Sequence, residues 1–136
     1  MSSKGIRTGS IVWTDLTVEK APAIAEFYEA VAGWKPEEVD VGDYADFNMV
    51  LPGSGKSVAG ICHARGQNAN LPPQWLIYIV VSDLDASMSE CWAKGGRVIL
   101  GPKEIGPGER FCVVRDPAGA VAALIQQSEP RPASSG

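Results

Sequence analysis

A strand–turn–strand pattern that occurs twice dominates this chain. In residues 110–125, two apolar-rich runs flank the turn Asp116–Gly119, and residues 47–61 repeat the arrangement. Proline sets φ for such a turn, aspartate can bond to the backbone ahead of it, and glycine tolerates positive φ. A shift of 64 residues aligns the two copies and places Gly55 on Gly119. The chain is therefore predicted to contain two copies of one module.

The predicted elements follow the same order, βαβββ, in both copies. In the first copy, residue patterning predicts strands at 10–18, 34–39, 44–51 and 57–64, with a helix at 21–32. In the second copy, it predicts strands at 75–82 and 97–100, a loop at 101–108 and a closing hairpin, with a helix from Asp83 or Asp85 to Lys94. Each helix is predicted to carry one apolar stripe. The stripes are Ile24, Phe27, Tyr28 and Val31, and Leu84, Met88, Cys91 and Trp92.

Length and composition indicate a single domain, and the predicted βαβββ elements make its class α+β. We expect the domain to span residues 9–127, as a module at 9–64, a linker at 65–74 and a module at 75–127, followed by a disordered tail at 128–136. The net charge is −4 and the basic residues do not cluster, which argues against nucleic acid as a partner. The absence of an apolar run of membrane-spanning length or of a signal peptide predicts a cytoplasmic protein that does not enter a membrane.

The motif residues resemble those of the vicinal oxygen chelate superfamily, which includes glyoxalase I, bleomycin resistance proteins and extradiol dioxygenases. These motifs are Phe27-Tyr28 followed by Gly33-Trp34, then Val81 and Asp83, then Gly95-Gly96, and last Asp116-Pro117 with Gly119. The resemblance implies two βαβββ sheets that form a cup, with the helices outside, and it suggests a homodimer.

The resemblance also implies where a divalent metal would be held, with one ligand near the start and one in the last strand of each module. Carried over to this chain, those positions are Trp13 (or Thr14 after a slip of one), Ala59, Leu76 and Ala123. Tryptophan, leucine and alanine cannot ligate a divalent ion, and a neutral threonine is a poor ligand. We therefore expect no metal, no other cofactor, and none of the family's usual metal-dependent chemistry.

Strand alternation then predicts which side chains line the cup. If Trp13 faces the cup, so does Asp15. Ala59 brings Ile61 and His63 with it, and Leu76 brings Tyr78 and Val80. Polarity adds Asp46, Asn48, Arg110 and Cys112, and assigns Phe47, Met49, Phe111 and Val113 to the helix side. The predicted ligand-binding residues are Trp13, Asp15, Asn48, His63, Tyr78, Arg110 and Cys112.

An aromatic and aliphatic cup with a few polar groups is typical of a small-molecule pocket. The first hypothesis is a metal-independent protein that sequesters a small aromatic or cationic molecule by stacking on Trp13 and Tyr78. Each residue also has a structural interpretation, since Trp13 can fill a core and Asp15 can pair with Arg110.

Two alternatives remain open at this point. In one, the protein is an enzyme with displaced ligands, such as a metal-dependent lyase, isomerase or dioxygenase. Asp15, Asp46 and His63 would then gather a metal or act as acid and base. In the other, the cup is filled core and the protein is an interaction module.

Overall fold

The computed structural model describes residues 7–127, and its internal contacts divide these residues into two units. The first unit contains residues 13–76, and the second contains residues 7–12 together with residues 77–127. Backbone hydrogen bonds between the amide of Gly9 and the carbonyl of Val80, and between the amide of Val80 and the carbonyl of Ser10, tie the short N-terminal stretch into the second unit.

The first unit is a four-stranded sheet with one helix. Its elements are β1 (Ile11–Val18), α1 (Ala21–Ala32), β2 (Lys35–Asp40), β3 (Ala45–Val50) and β4 (Ser57–His63). β2, β3 and β4 pair antiparallel in sequence order, and β4 pairs parallel with β1. A single 3₁₀ turn, Gly66–Asn68, follows β4 in the predicted linker. The order of these elements is βαβββ.

The second unit repeats this arrangement. Its elements are β5 (Leu76–Val80), α2 (Leu84–Ala93), β6 (Arg97–Gly106), β7 (Glu109–Arg115) and β8 (Val121–Gln126). β6, β7 and β8 pair antiparallel in sequence order, and β8 pairs parallel with β5. The predicted α+β class and the twofold βαβββ order are confirmed.

Strand register shows how closely the two units correspond. Asp15 of β1 lies opposite Gly60 of β4, and Tyr78 of β5 lies opposite Ala123 of β8. Adding 63 to the residue numbers of the first pair gives the residue numbers of the second pair. The shift of 64 that aligns the hairpin turns therefore returns to 63 within the last strand.

Glycines end both helices as the sequence predicts. Gly33 has φ of 82°, and its amide bonds to the carbonyl of Glu29, as expected for a left-handed helix cap. α2 begins at an N-cap, Asp83, whose carboxylate accepts the amide of Ala86, and Gly95 follows its last turn with φ of 94°.

The predicted apolar stripes of the helices are wrong in part. α1 buries Ala21 and Ala25 and half-buries Ile24 and Tyr28, whereas Phe27 and Val31 are 52% and 65% exposed. Because the small side chains of Ala21 and Ala25 face the sheet, Phe27 and Val31 lie toward the opposite side of the helix and are exposed. On α2, Leu84 is fully buried but Trp92 is 55% exposed, so the predicted packing role of Trp92 is also wrong.

The core of the first unit lies between α1 and one face of its sheet. Its buried residues are Leu16, Ala21, Ala25, Met49, Ala59 and Ile61. An aromatic group of Tyr28, Trp34 and Trp75 packs against this core, and the indole nitrogen of Trp75 donates to the Tyr28 hydroxyl at 3.1 Å. The half-buried indole donor is thus satisfied beside the apolar core.

The predicted loop at 101–108 is a strand through Gly106 instead. β6 continues through Gly101 and Pro102 and remains paired with β7, with three irregularities in its register. Proline cannot donate to a ladder, and bulges accommodate such a residue at the edge of a sheet. Gly101 is required because a Cβ there would lie 2.8 Å from the carbonyl oxygen of Phe111.

Other expectations have different outcomes. The turn at Asp116–Gly119 is confirmed, with the Asp116 carboxylate accepting the amides of Ala118 and Ala120. Between residues 7 and 127, neither helix combines the length and the apolar character that crossing a bilayer requires. The predicted disordered tail, 128–136, lies outside the described residues.

We expect Ala59→Glu to lower the free energy of unfolding by about 3 kcal/mol or more, because a carboxyl group would enter the α1 core without a partner. Ala59 is 0% exposed there. Val39→Glu, which adds the same group at a residue of the same sheet that is 37% exposed, is the matched control and should cost little. Urea unfolding of both variants measures the difference, and equal stabilities would contradict the assigned face of β4.

Candidate functional site

The face of the first sheet that lies opposite α1 carries most of the predicted polar site residues. Asp15, Gly60 and Asn48 lie side by side on β1, β4 and β3. The flanking residues Leu16, Ile61 and Met49 belong to the α1 core, so alternation turns the Asp15–Gly60–Asn48 row away from the helix. Trp13 and Asp46 lie two residues from members of this row and share its face. We call this surface the acidic face.

Trp13 lies against a strand position that has no side chain. A Cβ at Gly60 would lie 3.5 Å from two indole atoms of Trp13, Cζ2 and Nε1, and 3.2 Å from Cβ of Asp15. Gly60 does not adopt a positive φ, so the backbone conformation does not require glycine there. The half-buried indole instead packs against the strand at Gly60, where side-chain atoms beyond a Cβ would meet it.

Further along the acidic face, a thiol lies between two carboxylates. Burial is the main cause that raises the pKa of Cys62, and the negative charges of Asp15 and Asp46 raise it further. The Asp46 carboxylate also accepts a hydrogen bond from the thiol. Cys62 is therefore a neutral donor at neutral pH, hydrogen-bonded to Asp46 and close enough to Asp15 to feel its charge.

Asp46 also holds the only histidine of the chain. One oxygen of Asp46, Oδ1, accepts the backbone amide of His63 at 2.9 Å and lies 3.0 Å from its Nδ1. The ring of Tyr44 meets the imidazole edge to face, with 5.0 Å between centroids, and the Arg65 guanidinium lies 4.1 Å from the centre of the Tyr44 ring. These contacts fix the imidazole at the end of β4.

The prediction that Ala59 and Ile61 line the cup is wrong. Both are 0% exposed and pack with Ala21 and Ala25 of α1. The error came from carrying the hairpin shift of 64 into the last strand, where the shift is 63. Gly60 is thus the counterpart of Ala123, and sequence reasoning missed it, although the shift of 63 between the helices already pointed to it.

In the second unit, Tyr78 lies on the sheet face opposite α2. It pairs with Ala123 and contacts the ring of Phe111 at 6.0 Å between centroids. Phe111 and Val113 were predicted to face the helix, but alternation places them with Tyr78 instead. This face is apolar and aromatic, in contrast to the acidic face of the first unit.

The predicted orientation of Arg110 and Cys112 is also wrong, because both point toward α2. Arg110 donates two hydrogen bonds to the Asp85 carboxylate of α2, at 3.0 and 3.3 Å. These bonds lower the pKa of Asp85 and raise that of Arg110. Burial, followed by proximity to Cys91 of α2, raises the pKa of Cys112 to about 11. Arg110 pairs with Asp85 rather than with Asp15.

The residues at the expected metal positions do not fit a divalent ion. With the register corrected, these positions are Trp13, Gly60, Leu76 and Ala123, and none has a side chain that can donate to a metal. Within residues 7–127, no group of three or more His, Cys, Asp or Glu side chains is arranged to hold one. Whether the protein works without a metal, as the sequence predicts, stays a prediction.

Comparison with known proteins identifies a family and several relatives. A profile of the Glyoxalase/Bleomycin resistance protein/Dioxygenase superfamily matches residues 10–124. Putative glyoxylase CFP32 of Mycobacterium tuberculosis is 29% identical over 119 residues, which cover 88% of this chain and 44% of the relative. Anthracycline biosynthesis protein DnrV of Streptomyces peucetius is 28% identical over 131 residues, which cover 85% of this chain and 46% of the relative. The chain thus spans less than half the length of these two relatives.

Solved structures of methylmalonyl-CoA epimerase share the fold. One, in complex with methylmalonyl-CoA and NH4+, has a TM-score of 0.57 and 19% identity, with 91% of this chain and 100% of the other covered. The Mycobacterium tuberculosis enzyme has a TM-score of 0.54 and 19% identity, with 99% and 96% covered. At this identity the similarity shows the fold alone.

We expect Trp13 and Gly60 to be energetically coupled. Gly60→Val should destabilise the protein because the added methyl groups meet the indole, and Trp13→Ala should relieve that clash. In a double-mutant cycle followed by urea unfolding, the coupling should be about 1 kcal/mol or more. Additive effects of the two substitutions would show that the indole does not rest on Gly60.

Thiol reactivity tests the environment of the cysteines. A raised pKa leaves less thiolate at a given pH, so Cys62 and Cys112 should react with iodoacetamide at pH 8 at least about tenfold more slowly in the folded protein than in guanidinium. Peptide mass spectrometry assigns each site, and Cys91→Ser provides a background without the third thiol. Rapid labelling of Cys62 in folded protein would contradict its position between Asp15 and Asp46.

Proposed function

The chain belongs to the glyoxalase/bleomycin resistance protein/dioxygenase superfamily, and within it we propose that this protein binds a small, planar, cationic aromatic molecule without a metal. The binding surface is the acidic face of the first unit. The observation that carries the proposal is that the Trp13 indole packs against the strand at Gly60, with Asp15 at the other side-chain position next to it. An aromatic surface next to an acid is suited to recognise an aromatic cation.

The electrostatics of the acidic face support a positively charged ligand. Asp15 and Asp46 lie close enough to Cys62 for both charges to raise the pKa of its thiol. The guanidinium of Arg65 lies on the Tyr44 ring. A cationic ligand would relieve the repulsion between the two carboxylates, whereas an anionic ligand would add to it.

The position of Trp13 supports stacking rather than simple core filling. The core of the first unit lies on the other face of the sheet, where α1 covers Leu16 and Ile61. The indole is only half-buried, and it uses the space left by Gly60 to lie close to the strands. A ring held in this way presents a fixed apolar surface to a ligand, and little rotamer entropy remains to be lost on binding.

The relatives are consistent with this proposal. One of them, DnrV, carries the name anthracycline biosynthesis protein, which fits an aromatic ligand class. The shared fold does not carry the metal chemistry that the family resemblance implies to this chain, because the side chains at positions 13, 60, 76 and 123 supply no ligands.

Calorimetric titration with three probes of different chemistry tests the proposal. Proflavine, a planar aromatic cation, should bind. Anthraquinone-2-sulfonate, a planar anion, should bind more weakly, and so should tetramethylammonium, a cation without an aromatic ring. Trp13→Ala should weaken proflavine binding about tenfold or more through the loss of stacking, and Asp15→Asn should reduce the preference for the cation.

Trp92→Ala is the matched control, since Trp92 is an exposed indole on α2. This variant should bind proflavine as the unchanged protein does. If proflavine does not bind, or if Trp13→Ala and Trp92→Ala have equal affinities, the proposal is wrong.

A further inference from the structure

The only histidine of the chain is fixed by a carboxylate in a way that determines its tautomer. Oδ1 of Asp46 accepts the backbone amide of His63 at 2.9 Å and contacts Nδ1 of the same residue at 3.0 Å. An ionised carboxylate can only accept hydrogen bonds, so Nδ1 must carry a proton. In the neutral imidazole, Nε2 then has a lone pair and no proton.

The second ring nitrogen of His63 is available. Within residues 7–127, the hydrogen bonds, ion pairs and ring contacts of the imidazole are those with Asp46 and Tyr44, and none engages Nε2. This nitrogen is not among the buried atoms that lack a partner, and 17% of the side chain is exposed. A molecule that approaches the end of β4 can therefore reach the lone pair.

The groups around His63 suit a proton acceptor. Asp46 on β3 faces Nδ1, and the Cys62 thiol donates a hydrogen bond to the same carboxylate. Tyr44 lies against the imidazole ring, and the guanidinium of Arg65 lies on the Tyr44 ring. Asp15 on β1 is the remaining charged group near Cys62.

From this arrangement we propose that Asp46 and His63 form an acid–base pair, in which Nε2 of His63 removes a proton from a small organic molecule with an acidic C–H or O–H bond. The proton moves to Nε2, the electron pair stays on the molecule, and Asp46 faces the imidazolium that results. Return of the proton to another atom of the same molecule completes an isomerisation. This proposal does not depend on stacking at Trp13, since it follows from the contacts of His63 alone.

A purely structural role predicts different results. The hydrogen bonds between Asp46 and His63 join the start of β3 to the end of β4. Removal of either side chain can therefore reduce stability even if the pair has no role as a base. His63→Asn separates the two roles, because the asparagine amide can still donate to Asp46 from nearly the position of Nδ1 but has no counterpart of Nε2.

The tautomer can be measured directly because the chain contains 1 histidine. Long-range ¹H–¹⁵N correlation spectra of the labelled protein contain one imidazole, and at a pH where it is neutral they should show a protonated Nδ1 and an unprotonated Nε2. Asp46→Ala should abolish this preference, whereas Asp43→Asn, which removes a nearby exposed carboxylate, should retain it. A protonated Nε2 in the unchanged protein would overturn the proposal.

Base activity can be measured with 5-nitrobenzisoxazole, a general probe for carbon-acid proton transfer. The base takes the ring C–H proton, the C–H electron pair forms the nitrile, and the N–O bond breaks to give a coloured phenolate. The unchanged protein should convert the probe about tenfold or more faster than His63→Asn or Asp46→Asn, and Asp43→Asn should match the unchanged protein. If His63→Asn keeps its melting temperature and its rate, His63 is a structural tie and the proposal fails.

Discussion

The parallel pairing of β4 with β1 is the constraint on which the candidate site depends. This register sets Asp15 opposite Gly60, and strand alternation then decides every neighbouring position. A slip of one residue would turn Ala59 and Ile61 out of the α1 core and bury Gly60 and Cys62 in their place. Because α1 packs with small alanines on that core, the apolar face strongly favours one register. The acidic face is what remains on the other side of the same strands.

The fold was predictable because several independent signals agreed. Repeated hairpin residues, helix ends at Gly33 and Gly95, and apolar periodicity all indicated two βαβββ modules, and the structure has them with both helices placed within a residue or two. The extension of β6 through Gly101 and Pro102 was not predictable in the same way. Local propensity opposes a strand at these two residues, and they form one because β6 pairs with the neighbouring strand β7.

The site was predictable only where polarity and alternation agreed. Trp13, Asp15 and Asn48 share a face as predicted, because each lies on a strand with a clear apolar opposite face. The face of Arg110 and Cys112 was predicted wrongly because polarity alone cannot distinguish an open sheet face from the polar margin of a helix. Arg110 can face α2 because it forms an ion pair with Asp85 of that helix. The link between Asp46 and His63 spans 17 residues, and no local pattern in the sequence reports it.

The glycine at position 60 has a consequence for which substitutions the candidate site can accept. A Cβ at position 60 would contact both the indole of Trp13 and Cβ of Asp15, so larger side chains there have to fit against both neighbours. The residues that position 60 accepts therefore depend on what stands at positions 13 and 15. A metal-ligating side chain in the fourth strand would be accommodated more readily after the indole ring is lost than before.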